Sequence, residues 1–388
     1  MTHFLIDFFE KIAYATEAQI LRKKEGIDEL KRLLVFLGGI LGVIALLLVG
    51  IFVLSQDKGS ADGADDKKLI IYNWGEYIDP ALIEKFEKQT DYTVIYSTFD
   101  SNEAMETKIK QGGTRYDLVF PSEAFIPKFI EEDLLVPLDH SKLKGTADLS
   151  TFLMDQSFDP GNKYSLPYFW GTIGIMVNTD EIPANEIHRW EDLWNPHLKN
   201  DILMIDGARE TFGIGLQALG YSQNETSEQK IKLALDKLEA LHPNVKAVLT
   251  DEIKTLMINN DAPIGIGYSG DAAFVMSENP AIQYIIPEDG GAIWTDNFAI
   301  PKTVGNLEGA YDFINFMLRP ENAAQNAEYV GYATPSETAK AQLPKELTAD
   351  KTFYPDPSAM HVMEHYEYLG KSVVEQYNDL FLEWKLGL

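Results

Sequence analysis

Leu33 to Leu54 reads LLVFLGGILGVIALLLVGIFVL, 22 residues without a charge. A bilayer core asks for about 20 apolar residues in a helix, whereas the apolar part of a signal peptide spans roughly 7–15. The run therefore predicts a transmembrane helix at 33–54, which divides the 388-residue chain into a short head and a long body. Arg22, Lys23, Lys24, Lys31 and Arg32 precede it, and only Lys58 follows closely. That bias predicts that residues 1–32 are cytoplasmic and that the body lies outside, in the periplasm or at the cell surface. Val53 and Ser55 are small enough for a signal-peptidase site, but the long region before the span argues against cleavage. Phe4, Leu5, Phe8, Phe9 and Ile12 are spaced for an amphipathic helix, and residues 55–67 read as a flexible linker.

The body is too long for one ordinary core, so two globular units are expected. The chain carries a formal net charge of -27, and most of the acidic excess lies after residue 66. Such a surface repels nucleic acid and steers cations inward; it also serves as a plain solubility surface. With no cysteine in the chain, disulfides, thiolate chemistry, Cys-ligated zinc and a lipid-modified cysteine are all excluded. From Lys67 onward, strand-like runs (KLIIYNW, YTVIYST, YDLVF, NDILMID, APIGIGYSG) alternate with helix-like ones. The helix-like runs include PALIEKFEKQT, SNEAMETKIKQGG and ARETFGIGLQALG. This alternation predicts an α/β fold built of βαβ units on a parallel sheet.

Three short motifs are weak. Gly265-x-Gly267-x-x-Gly270 is followed by a stretch too short for the usual crossover helix, so a tight strand-to-helix turn is the better reading. His361-x-x-Glu364-His365 matches an inverted zinc-peptidase pattern, but nothing nearby announces a third ligand, and a solvated face of a C-terminal helix is expected instead. Asn224-Glu225-Thr226 fits a glycosylation acceptor, a pattern too common to carry weight. No cofactor or metal is expected, and no plausible nucleophile–base pair suggests an enzyme.

The carboxyl ends of the predicted strands carry more. Tyr72-Asn73-Trp74-Gly75-Glu76-Tyr77, Pro121-Ser122 and Asp206 to Glu210 each follow a strand-like run, and Trp294-Thr295-Asp296 pairs an indole with a carboxylate. Ligands of open α/β sheets bind outside such strand ends. Aromatic faces beside carboxylates suit an organic ammonium, the rings contributing roughly 0.5–2 kcal/mol of cation–π attraction and the acids neutralising the charge. Taken singly, each of these residues reads more readily as a core aromatic or a helix cap; their recurrence at strand ends favours a site.

In order along the chain, IIYNWGEYIDP, YSTFDSNEAMETKIKQG, YDLVFPSE, DQSFDPGNKYSLPYFWGTIGI, HRWEDLWNP, DGARE, ALGYS, FAIPK, INFMLRPENAAQNAEYVGYATP and KTFYPD closely resemble the spermidine/putrescine-binding component of polyamine ABC importers. The resemblance covers the chain from about Lys68 to its end. It implies a two-lobed periplasmic-binding-protein fold of type II, with lobe 1 at 68–170 and 297–335 and lobe 2 at 171–296 and 336–388. Hinge strands are expected at Pro167 to Val177 and around Thr295 to Pro301.

Carried over by position, Trp74 and Tyr77 would clamp the ligand, and Ser122 would bond an amine. Glu210 would pair with a terminal ammonium and Asp296 with another amine. Tyr268 stands where the family often has tryptophan, Trp294 would stack on the aliphatic chain, Tyr332 would complete the pocket, and Tyr366 falls near the distal amine. Gly207 replaces an acid of the family pattern, for which Asp206 could compensate. Ala124 replaces a tyrosine, leaving the pocket wider or filled by Phe125. The resemblance thus implies capture of spermidine or putrescine, selected by the spacing of Glu210 and Asp206 from Asp296. It further implies delivery to the permease subunits of an ABC importer and, through them, its ATPase. The rivals are a different cationic or chelated ligand, a zinc enzyme on His361, Glu364 and His365, and a membrane-anchored sensor signalling through residues 1–32.

Overall fold

The computed structural model describes residues 67–355 and 357–388. The apolar run 33–54, the segment before it and all but the end of the linker lie outside the described residues. Among the described residues no helix is long and apolar enough to cross a membrane.

The first strand, β1 (Lys68–Trp74), runs parallel to β2 (Thr93–Phe99) and β3 (Leu118–Val119). Helix α1 (Pro80–Gln89) links β1 to β2 and starts at Asp79, whose side chain accepts Ala81 N–H. Pro80 occupies the first turn, where a missing N–H costs nothing. Helix α2 (Asn102–Gln111) links β2 to β3, with Ser101 as its N-cap and Gly112 in the left-handed conformation at its end. At the other end of the sheet, β5 (Ile202–Ile205) is parallel to β6 (Val245–Leu249) and β7 (Ile264–Tyr268). Helices α3 (Ala208–Ala218), α4 (Glu228–Glu239) and α5 (Glu252–Ile258) connect these strands, and α6 (Ser269–Glu278) follows β7 directly.

Between the two parallel groups stand two long strands, β4 (Ser165–Asn178) and β9 (Gly291–Ala299), with every residue buried. They pair antiparallel to each other, β4 with β7 and β9 with β3. The parallel sheet expected from the strand–helix alternation is therefore corrected to a mixed one: parallel order holds within each group, and antiparallel pairing of the crossing strands joins them. The reason is topological, since two chain passages between the groups bring β4 and β9 back against their neighbours. The result is a two-lobed α/β fold in which the expected hinge segments lie in, or run on from, β4 and β9. The β4–β9 register shifts between Pro167 and Phe169, as suits a proline that has no N–H to give the ladder.

The last part of the chain holds a second correction. Met363–His365, expected on a helix face, forms strand β10, parallel to the first residues of β9. The free edge of β9 offers more backbone hydrogen bonds than an isolated helical turn would. Two imidazoles one helical turn apart are thereby ruled out. Helix α7 (Leu307–Met317) follows β9 and α8 (Pro320–Val330) follows in turn, and the chain closes with α9 (Lys371–Leu386).

Candidate functional site

Asp296, in β9, is 7% exposed. Its carboxylate accepts a hydrogen bond from Ser122 Oγ at 2.6 Å and another from Tyr77 OH at 2.7 Å. Ser122 ends the turn after β3 and faces Asp296 across a single antiparallel bridge. Asn102, at the start of α2, fixes Ser122 from both sides: its Oδ1 accepts Ser122 N–H and its Nδ2 donates to Ser122 Oγ, each at 3.1 Å. Tyr77 is fixed through its backbone, whose carbonyl accepts a 2.6 Å bond from the buried Tyr168 hydroxyl of β4. Asn326 Nδ2 donates in turn to that hydroxyl at 2.8 Å. Burial pushes the Asp296 carboxyl up to about 6, against the pull of its two hydroxyl partners.

Rings wall this carboxylate. Tyr77 meets Tyr332 edge-on at 5.8 Å, Tyr332 meets Trp294 at 4.9 Å, and Trp294 meets Tyr268 at 6.1 Å. A Cβ on Gly270 would lie 2.2 Å from the Tyr332 ring. The last glycine of the GxGxxG run thus makes room for an aromatic wall rather than for a pyrophosphate. Tyr268 OH donates to Glu210 Oε1 at 3.3 Å, bringing the second carboxylate of the sequence reading into the same cluster. Burial raises the Glu210 carboxyl, and it holds the phenols of Tyr77, Tyr268, Tyr332 and Tyr366 well above their usual range, so that all four stay neutral donors.

Tyr366, just beyond β10, is buried and has the Arg209 guanidinium over its ring at 5.3 Å. Trp74 is half-buried, with its Nε1 donating to the Phe120 carbonyl at 3.0 Å, two residues before Ser122. Asp206 stands apart: its side chain is about one-third exposed, and both of its oxygens accept from Lys385 Nζ at 2.8 Å. The structure therefore does not give Asp206 the place beside Glu210 that Gly207 left open. Phe125 packs edge-on against Phe129 at 6.1 Å and under Lys128.

One residue of the cluster was missed. Glu123, next to Ser122, is 1% exposed; its Oε2 accepts Thr295 N–H at 2.8 Å and its Oε1 accepts Tyr366 N–H at 3.3 Å. Burial, reinforced by the neighbouring Asp296 charge, pushes its carboxyl up to about 8. The signal that could have found it was its place at the same strand end that singled out Ser122. Among the described residues no group of three or more His, Cys, Asp or Glu side chains could hold a metal ion. His365 sits against Phe152 and Phe158, with neither ring nitrogen hydrogen-bonded.

The buried Asp296 and the half-buried Glu210 stand among neutral phenols and an indole, a combination that suits a cation with apolar parts. A family model described as a bacterial extracellular solute-binding protein matches residues 81–355. A chain from Listeria monocytogenes named for a spermidine/putrescine ABC transporter is 55% identical, with a TM-score of 0.77 over 82% of this chain and 99% of that one. The spermidine/putrescine substrate-binding protein PotD of Streptococcus pneumoniae, solved with calcium and HEPES, is 51% identical at a TM-score of 0.77, covering 83% and 99%. The spermidine/putrescine-binding periplasmic protein of Escherichia coli K12 is 39% identical over 86% of this chain and 96% of its own. With the family model spanning most of the body, and relatives aligned nearly end to end, the chain belongs to the bacterial extracellular solute-binding proteins.

Proposed function

We propose that the protein captures a polyamine, spermidine or putrescine, between its lobes outside the cytoplasm and hands it to the permease subunits of an ABC importer. The observation that carries this reading is the buried Asp296 carboxylate, held by two hydroxyls and walled by Tyr77, Tyr332 and Trp294. A buried carboxylate without a cation is costly, and an ammonium group completes it. The aliphatic stretch between amines then lies against ring faces, and Glu210 receives a second charge. Lobe 1 (68–170 and 297–335) and lobe 2 (171–296 and 336–388) close about β4 and β9, presenting the permease with a surface that only the loaded form displays. The ligand leaves unchanged, so the protein is a carrier and not an enzyme.

The apolar run 33–54 acts as a single-pass anchor, with residues 1–32 inside, and the linker keeps the body near the permease at high effective concentration. Calorimetric titration with putrescine, spermidine, spermine and cadaverine tests the binding reading. Tight binding of one or two of them supports it, and no heat with any of them, in folded ligand-free protein, sinks it. Membrane fractionation after carbonate washing tests the anchor, which fails if the body is released.

A further inference from the structure

Glu123 lies on the turn after β3 in lobe 1, yet its carboxyl reaches in two directions. One oxygen takes the N–H of Thr295 in the crossing strand β9, and the other takes the N–H of Tyr366. The segment around Tyr366 is anchored to lobe 2: Gln223 Nε2 donates to the Glu364 carbonyl at 2.6 Å, and Asn224 Nδ2 to the His365 carbonyl at 2.8 Å. Ser222 Oγ and Gln223 N–H hold the Glu364 carboxylate at 3.0 and 2.8 Å. The same segment presses His365 against Phe152 and Phe158 of lobe 1, ring centres 6.1 Å apart in each case. A strap fastened to one lobe thus reaches the other, and the polar tie between them is the Glu123 carboxyl.

We propose that Glu123 is a positioning residue that couples arrival of the ligand's charge to closure, clasping the Tyr366 N–H of lobe 2 to the turn of lobe 1 that carries Ser122. This deepens the polyamine reading and rests on it. Around Glu123 the titratable and charged groups are Asp296 from β9 and the Tyr366 phenol from the strap, with Glu210 and Arg209 behind Tyr366. Without ligand, burial and the Asp296 charge keep Glu123 protonated near neutral pH. An ammonium beside Asp296 cancels that repulsion and adds its own positive field, which lowers the Glu123 carboxyl and favours release of its proton to solvent. The carboxylate then accepts both amides through charge-assisted bonds, roughly twice as strong as neutral ones. Closure and cation binding reinforce each other by linkage.

The test uses the full chain in detergent and two variants. Glu123→Gln keeps the shape without a titrating carboxyl; Glu123→Asp keeps the titration but is too short to reach the Tyr366 amide. Titration of putrescine and spermidine at pH 7, in buffers of different ionisation enthalpy, reads the proton. A measurable fraction of a proton per ligand should leave wild type and the Asp variant, and none should leave the Gln variant. Both variants should release ligand faster, weakening Kd about tenfold.

Because the chain has no cysteine, dyes placed through Lys88→Cys on α1 and Lys232→Cys on α4 report the lobe separation. These are exposed sites on opposite lobes, and with polyamine present both Glu123 variants should shift the population toward open. An unchanged proton count and release rate in Glu123→Gln overturn the clasp while leaving polyamine capture standing. If no polyamine binds wild type, the functional reading falls and the clasp, which rests on it, falls with it.

Discussion

Asp296 and Glu210 are the two acids that sequence and structure both place in the cluster, and they are held in opposite ways. Asp296 sits on a strand buried along its whole length, with short bonds of 2.6 and 2.7 Å from hydroxyls that are themselves tied down by Asn102 and Tyr168. Glu210 sits in the first turn of α3, half-buried, with one longer bond of 3.3 Å from Tyr268. The difference separates an anchor from a gauge. A preorganised carboxylate spends little on ordering when a cation arrives, whereas a loosely held one adapts to where the far amine falls. Affinity should therefore reside mainly at Asp296, and discrimination by length at Glu210.

The strongest way to break that comparison is to neutralise the anchor. Asp296→Asn leaves an ammonium buried without its partner charge, a loss of about 3–5 kcal/mol, so binding should fall more than 100-fold for every polyamine alike. Titration calorimetry checks this, and a loss confined to one polyamine would reverse the assignment of roles. Glu210→Gln should cost less, about tenfold, and unequally between putrescine and spermidine. Gly207→Ala offers an independent route to the same end: its Cβ would lie 2.1 Å from Glu210 Oε2, so the flexible carboxylate must swing away. The alanine variant should reproduce the glutamine variant's altered preference while its melting temperature stays close to wild type.

A pH scan sharpens the contrast without ligand. The Asp296 carboxyl is raised to about 6 by burial. Its contribution to stability is therefore complete below its unfolded value and is lost as pH rises through about 6. His365 runs the other way: burial lowers its imidazole to about 4, so its contribution is present above about 6.5 and is lost as pH falls toward 4. Melting curves of the ligand-free protein between pH 4 and 7 should show Asp296→Asn flattening the loss on the alkaline side. His365→Phe should flatten the loss on the acid side. Each effect should be about 2–3 kcal/mol.

Legibility in the sequence followed from how local each signal is. Strand and helix runs such as KLIIYNW and PALIEKFEKQT carry their own periods, caps and breakers, and they formed β1 and α1 where those signals said. Tyr77, Ser122, Glu210, Tyr268 and Tyr366 sit at or just past strand ends, or in a first helical turn; Trp294 and Asp296 lie within β9 and Tyr332 just past α8, and the fold brings them all together. What was illegible depended on partners distant in the chain. The antiparallel crossing of β4 and β9 is a long-range pairing that no window of sequence contains. Met363–His365 became a strand because β9 left an edge open, not because the tripeptide prefers to be extended. Glu123 reads as an ordinary surface acid until Thr295 and Tyr366, 172 and 243 residues away, are seen to donate to it.

Asp206 is the smallest effect and the sharpest test of what locality can mislead about. Adjacent to Gly207, it looked ready to supply the acid that the family pattern places there, but adjacency along a strand end does not fix direction. Alternate residues point to opposite sides, and the Asp206 carboxylate faces Lys385 of the C-terminal helix instead. A partly exposed pair of this kind contributes about 0–1 kcal/mol. Asp206→Asn should therefore lower stability by no more than that and leave polyamine affinity within about twofold. Lys385→Met should match it in melts and titration alike. A tenfold loss of affinity in Asp206→Asn, absent from Lys385→Met, would mean that the ion pair opens on binding and that Asp206 turns inward to the ligand. Glu210 would then share its task as gauge with a second acid, and the division between a fixed anchor and one adaptable carboxylate would have to be redrawn.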